Sequence, residues 1–173
     1  MRLVDGTVTI GGERFPDTDA FVARLDEIGT DHGVTVQAFD ARYVVSARHL
    51  GRALELADRE RARGEAIARD RAVEVLLYAA GRRQIRRALE MGVGEGETPA
   101  VVLVAAAPDA VDPDETAAAE AVATLLAPGE PLGDYDDARV RELFDVTDAE
   151  LAATDATLED LVLERVALLV VER

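Results

Sequence analysis

Apolar positions along this chain change period several times, and each change marks an element. Leu3-Val4 and Val8-Thr9-Ile10 are β-prone runs on either side of Asp5-Gly6-Thr7, a spacing that predicts a tight hairpin. Pro16-Asp17-Thr18-Asp19 reads as a helix start, with Phe21, Val22, Leu25 and Ile28 recurring at three- and four-residue steps until Gly33. Val34 to Phe39 alternates and is β-branched, hence a strand, which Tyr43-Val44-Val45 extends or follows. Ser46 is a natural N-cap for a helix from about Ala47 to Arg63, with Leu50, Ala53, Leu54 and Ala57 as its apolar stripe and Gly64 as its stop. A second helix covers about Asp70 to Ala80, with Val73, Leu76, Leu77 and Ala80 on one face. Beyond Gly81 a short helix is expected to turn Ile85, Ala88 and Leu89 inward and Arg82, Arg83, Arg86 and Arg87 outward, before the turn Gly92-Val93-Gly94-Glu95-Gly96.

The second half continues the pattern. Val101-Val102-Leu103-Val104, within Ala100 to Ala107, is a continuous apolar run of strand length, as a central strand requires. Asp112-Pro113-Asp114-Glu115 combines a cap, a proline at the first helical position and acids in the first turn, and the helix it opens ends before Pro128-Gly129. Glu130 to Asp137 reads as an acidic loop. Thr147-Asp148-Ala149-Glu150 matches a capping box. Leu158, Leu161, Val162 and Arg165 suggest a further helix, leading into a last strand over Val166 to Val171. No repeat or linker divides the chain. The expectation is one α+β domain over residues 1–173, with a small mixed or mainly antiparallel sheet packed by several helices.

Charge sharpens this picture. The net charge is -16, yet the segment from Arg42 to Arg87 holds twelve of the nineteen basic residues against six acids. That segment is therefore basic by +6 while the remainder stands at −22. Every cation is Arg and none is Lys, which with a pI near 4.4 resembles the acidic, Lys-poor proteins of salt-accumulating halophiles. Total charge then speaks of solvent, and only its distribution speaks of partners. There is no Cys, so disulfides, thiolate metal sites and a Cys nucleophile are excluded. The amino terminus lacks the apolar run of a signal peptide and no stretch is long enough to span a bilayer, so a cytoplasmic protein without membrane contact is expected.

Catalytic and metal signatures are absent: no Walker loop, no Gly-x-Ser-x-Gly, no His-Glu-x-x-His. Gly92, Gly94 and Gly96 follow a helix and precede a strand, the reverse of a dinucleotide fingerprint. His32 and His49 have no metal spacing and read as surface or boundary residues. No catalytic residue, metal or cofactor is assigned, and the chain is not read as an enzyme. Arg82/Arg86 and Arg83/Arg87 are like-charge pairs four residues apart, which cost about 0.2–0.5 kcal/mol each in an isolated helix. Either they meet phosphate oxygens, which guanidinium forks match, or acids elsewhere in the fold neutralise them. Arg48, Arg52, Arg59 and Arg63 are interleaved with Glu55, Asp58 and Glu60 and read as a solvated, salt-bridged face.

The segment from Ser46-Ala-Arg-His49-Leu50 through Ile67-Ala68, Glu74-Val-Leu-Leu77 and Gly81-x-x-Gln84-Ile85-x-x-Ala88 to Gly92 resembles the small non-catalytic subunit of the KEOPS (EKC) complex, the archaeal relatives of the PRPK-binding protein TPRKB. The strand spacing to Val101–Val104 and the apolar Val162 to Val171 segment fit the same family. The resemblance implies an accessory subunit that binds a kinase-like ATPase and engages the single-stranded CCA end of tRNA, within a complex that installs threonylcarbamoyladenosine. Arg82, Arg83, Gln84, Arg86 and Arg87 are the primary candidates for tRNA contact, and Arg48, His49 and Tyr78 the secondary ones. Tyr78 is the one aromatic of this block, and is either a stacking platform or a core residue. At molar salt the screening length is about 3 Å, so such binding must rest on close, forked hydrogen bonds and stacking. The competing reading is a protein-interaction adaptor whose Arg patch docks an acidic partner without touching nucleic acid; an enzyme of dispersed carboxylates ranks below both.

Overall fold

Val101, Val102, Leu103 and Val104 are all fully buried, and the strand that carries them, β3 (Gly96–Ala106), is the centre of the sheet. A strand covered on both faces has no reason to alternate, which is why this run reads as continuously apolar. β1 (Arg2–Ile10) and β2 (Val34–Asp40) flank it, each antiparallel, in the order β1-β3-β2. The register sets Gly6 opposite Ala100 and Val36 opposite Val104. The computed structural model describes residues 1–172. Together with helices before, between and after the strands, the sheet makes the chain an α+β protein.

The chain forms two compact units. The first comprises residues 1–41 and 92–132 and contains the sheet. Helices α1 (Thr18–His32) and α5 (Glu115–Ala123) lie on one face of it, where Phe21, Leu25, Ile28, Ala118 and Val122 meet Val8, Ile10, Val36, Val102 and Val104. The Asp17 side chain caps α1 at 2.8 Å from Ala20 N, and Gly33 closes it in the left-handed conformation.

The second unit, residues 42–91 and 133 onward, is helical among the described residues. It holds α2 (Ala47–Ala62), α3 (Arg71–Ala80), the single turn α4 (Ile85–Ala88), α6 (Asp137–Phe144), α7 (Asp148–Ala152) and α8 (Leu158–Leu168). Helix α2 packs on α3 and α8 through Leu50, Ala53, Leu56 and Ala57. Leu54, expected in that stripe, is only partly buried, and Leu56 takes its place.

Five sequence expectations are corrected. Asp5-Gly6-Thr7 is not a hairpin: β1 runs straight through it. Gly6 serves a close backbone approach, since a Cβ there would lie 2.5 Å from Ala127 O, and Thr7 exchanges two hydrogen bonds with Ala127 at 3.0 and 2.7 Å. The cap of α5 is Asp114, which accepts from Ala117 N at 2.9 Å, while Asp112 turns at φ 56. Thr147 caps α7, but Glu150 does not complete a capping box, because its carboxylate binds Arg165 at 2.8 and 2.9 Å. The end of the acidic run supplies Asp136 as N-cap of α6, a helix the sequence reading passed over. Val166 to Val171 is not a strand: α8 continues to Leu168, and Leu158, Leu161, Val162, Val166 and Leu169 form one helical stripe of buried positions.

Candidate functional site

The basic segment is built from the end of α3. Gly81 adopts φ 59, and its N–H and that of Arg82 return to the carbonyls of Tyr78 and Leu77, both at 3.0 Å. This Schellman closure reverses the chain and fixes the direction in which Arg82 leaves the helix.

Arg82 therefore does not point outward as expected. One of its terminal nitrogens donates to the carbonyl of Leu143 and to the Asp145 carboxylate, the latter at 2.6 Å. Arg83 donates to the Leu169 carbonyl at 3.4 Å, a long bond that leaves most of its fork exposed. Arg87 pairs with Glu90 at 2.8 Å. Arg86 is exposed and bonded to no described residue. Gln84 opens α4 with its backbone, its carbonyl accepting from Arg87 N and Ala88 N, and leaves its side chain exposed. Gly81, Arg82, Arg83, Gln84 and Arg87 line one cavity of ≈ 280 Å³, with Glu172 at its wall.

The apolar side of this turn is also corrected. Only Ala88 and Met91 face the core, whereas Ile85 is 51% and Leu89 57% exposed. A one-turn helix followed by a 3-10 turn at Leu89–Met91 cannot keep positions 85, 88 and 89 on one buried face. The result is an apolar pair set among exposed guanidinium groups.

The secondary candidates separate. Arg48 is exposed near the start of α2, lining a depression of ≈ 550 Å³ with Gly51, Arg52, Glu55 and Leu163. Hydrogen bonds from the Thr157 N–H and hydroxyl hold the Asp160 carboxyl below its usual range, and the Arg48 charge adds to this. His49 and Tyr78 are both buried, so neither offers a surface to a ligand. His49 is thus no boundary residue: its Nε2 lies 2.7 Å from Ala79 O, Nδ1 accepts from Val45 N at 3.4 Å, and its ring stands edge-on to Phe144. Burial drives its pKa down to about 4, against the hydrogen bond to Ala79.

Other arginines of the basic segment are absorbed by the fold. Arg59 and Arg63 clamp buried Glu60, Arg71 forks onto Asp58 at 2.8 Å, and Arg61 donates to the carbonyls of Ala68 and Arg69. Buried Glu74 accepts from the N–H groups of Ile67 at 3.1 Å and Ala68 at 2.6 Å, pinning the α2–α3 loop. The residues that sequence reasoning missed are Asp145, which pairs with Arg82, and Glu172, which lines the cavity, both far along the chain from Gly81. Among the described residues no cluster of His, Asp and Glu is arranged to hold a metal ion, and no helix is long and apolar enough to cross a membrane.

Comparison with curated proteins finds no match. The model of the family described as kinase binding protein CGI-121 matches residues 22–169, a span that includes α2, α3, the Gly81 turn and α8. That coverage extends the likeness seen in the Ser46–Gly92 block to most of the chain, and the chain belongs to the CGI-121 kinase binding protein family, the TPRKB-related family.

Proposed function

We propose that this protein is a non-catalytic accessory subunit of a KEOPS-type complex, which docks on a kinase-like ATPase and recruits tRNA by its CCA end for threonylcarbamoyladenosine formation. Family membership supports the kinase-binding part. The observation that carries the RNA part is the convergence of Arg83, Gln84 and Arg87 on one ≈ 280 Å³ cavity, with Arg86 exposed beside it. Guanidinium forks offer two parallel donors to phosphate, and their planes stack on bases. With Tyr78 buried, that stacking falls to Arg83, Arg86 and the exposed edge of Ile85.

The exposed Ile85 and Leu89 also favour a second reading, in which the same surface docks an acidic protein and no nucleic acid. The two readings part in one titration. Wild type and an Arg83→Ala/Arg86→Ala variant are titrated with tRNA carrying or lacking its CCA end, and in parallel with the kinase-like ATPase. The RNA reading expects the variant and the CCA deletion each to weaken tRNA binding while ATPase binding holds. Equal tRNA binding in all four combinations overturns it and leaves the adaptor.

A further inference from the structure

We propose that Asp145 is an electrostatic latch on Arg82: it holds one guanidinium of the anion-binding cavity in reserve, and a bound phosphate releases it. The inference rests on the reading of that cavity as a phosphate site.

Arg82 lines the cavity with Arg83, Gln84 and Arg87, yet its terminal nitrogen is engaged by Leu143 O and by Asp145. A purely structural role would spend Nε as well as a terminal nitrogen. Arg165 does so: it donates through Nε to Phe144 O, and through Nη2 to Asp145 O and to both oxygens of Glu150. The carbonyl end of α6 is thus already held by Arg165. Arg82, in contrast, has its Nε buried with no hydrogen-bond partner among the described residues. Its donors are incompletely spent, a state in which a better acceptor gains.

Asp145 is the other half of the argument. It sits at φ 53 as the left-handed closure of α6, a position where glycine has no steric penalty. Asp145 N–H completes the closure onto Arg141 O and Glu142 O, a task any residue's backbone performs. What Asp adds is its carboxylate, and that carboxylate is on Arg82. The side chain is 70% exposed, so the pair is solvated and readily exchanged. A phosphate group carries more acceptor oxygens than a carboxylate and accepts the guanidinium fork bidentately. Its arrival displaces Asp145 from Arg82, and the freed carboxylate then opposes the ligand's charge. The latch therefore lowers affinity for every anion and favours one that uses Arg82 fully.

The test compares wild type, Asp145→Asn, Arg82→Ala and the double variant, titrated with inorganic phosphate and with tRNA. Arginine Nε–Hε NMR reports on Arg82, and thermal melting on the fold. Asparagine tolerates the left-handed conformation and keeps the shape without the charge. The expected result is a melting midpoint close to wild type, phosphate and tRNA affinities raised about two- to fivefold by Asp145→Asn, and loss of that gain in the double variant. If Arg82→Ala does not fold, Arg82→Gln replaces it, keeping a donor for Leu143 O without the charge. Affinity unchanged or lowered in Asp145→Asn, or no phosphate binding by any form, overturns the latch. A gain for phosphate with no tRNA binding at all sustains the latch and removes the RNA reading instead.

Discussion

His49 Nε2 stands 2.7 Å from the carbonyl oxygen of Ala79, a bond between α2 and α3 made where no water reaches the ring. The ring is neutral, with a pKa of about 4 against 6.5 for an exposed imidazole. The unfolded chain takes up a proton as pH falls below about 6.5, whereas the folded chain resists until about 4. This contribution to stability is therefore complete above pH 6.5 and is lost progressively as pH falls towards 4. The shift corresponds to about 3 kcal/mol. His49→Gln, which can still donate to Ala79 O but does not titrate, is expected to show a flatter stability profile across that window. Urea denaturation midpoints at half-unit pH steps measure the difference, and parallel profiles for the two proteins refute the assignment.

Glu74 holds the N–H groups of Ile67 and Ala68 from a fully buried position. Glu74→Ala leaves both donors without their acceptor and is expected to cost about 2–3 kcal/mol. Glu74→Gln keeps one acceptor oxygen and costs less. Amide exchange at residues 67 and 68 should accelerate in the same order, ahead of exchange in the middle of α2.

Gly6→Ala places a methyl group 2.5 Å from the Ala127 carbonyl and 3.0 Å from Leu126 Cβ. Backbone cannot give way as a side-chain tip can, so a loss of about 1–3 kcal/mol is expected. The Ala127 amide, now bonded to Thr7 O at 2.7 Å, should lose protection first. Were Gly6 merely a turn residue, alanine would leave that amide unchanged.

Ile85→Ser and Leu89→Ser remove apolar groups that already face solvent. Each is expected to shift stability by no more than about 0.5 kcal/mol. Met91→Ala, two to six residues further on and fully buried, should cost about 2–5 kcal/mol. Thermal melts decide this. A large loss from either serine variant would restore the inward-facing turn that the sequence pattern suggests.

Much of the architecture was legible because its signals are local. Asp17, Ser46 and Asp70 announce helix starts through side chains that bond amides three residues on, and Gly33 and Gly81 announce stops through a conformation that costs glycine nothing. The Val101–Val104 run declared a central strand because burial on both faces removes alternation. Where burial overrode local preference the reading failed. The β-branched residues after Arg165 look strand-like one at a time, yet Val162, Val166 and Leu169 are spaced for one face of a helix.

The basic island shows the same division. Its composition, its confinement between Arg42 and Arg87, and the Gly81-x-x-Gln84-Ile85-x-x-Ala88 motif belong to the sequence alone. Which arginines remain available does not. Arg82 was committed by Asp145 and Leu143, some sixty residues away, and Arg86 stayed exposed on the same short stretch. Helical spacing tells which residues share a face, but a guanidinium's partner is set by the element that arrives opposite it. That arrival is decided only when α6 and α8 fold against each other.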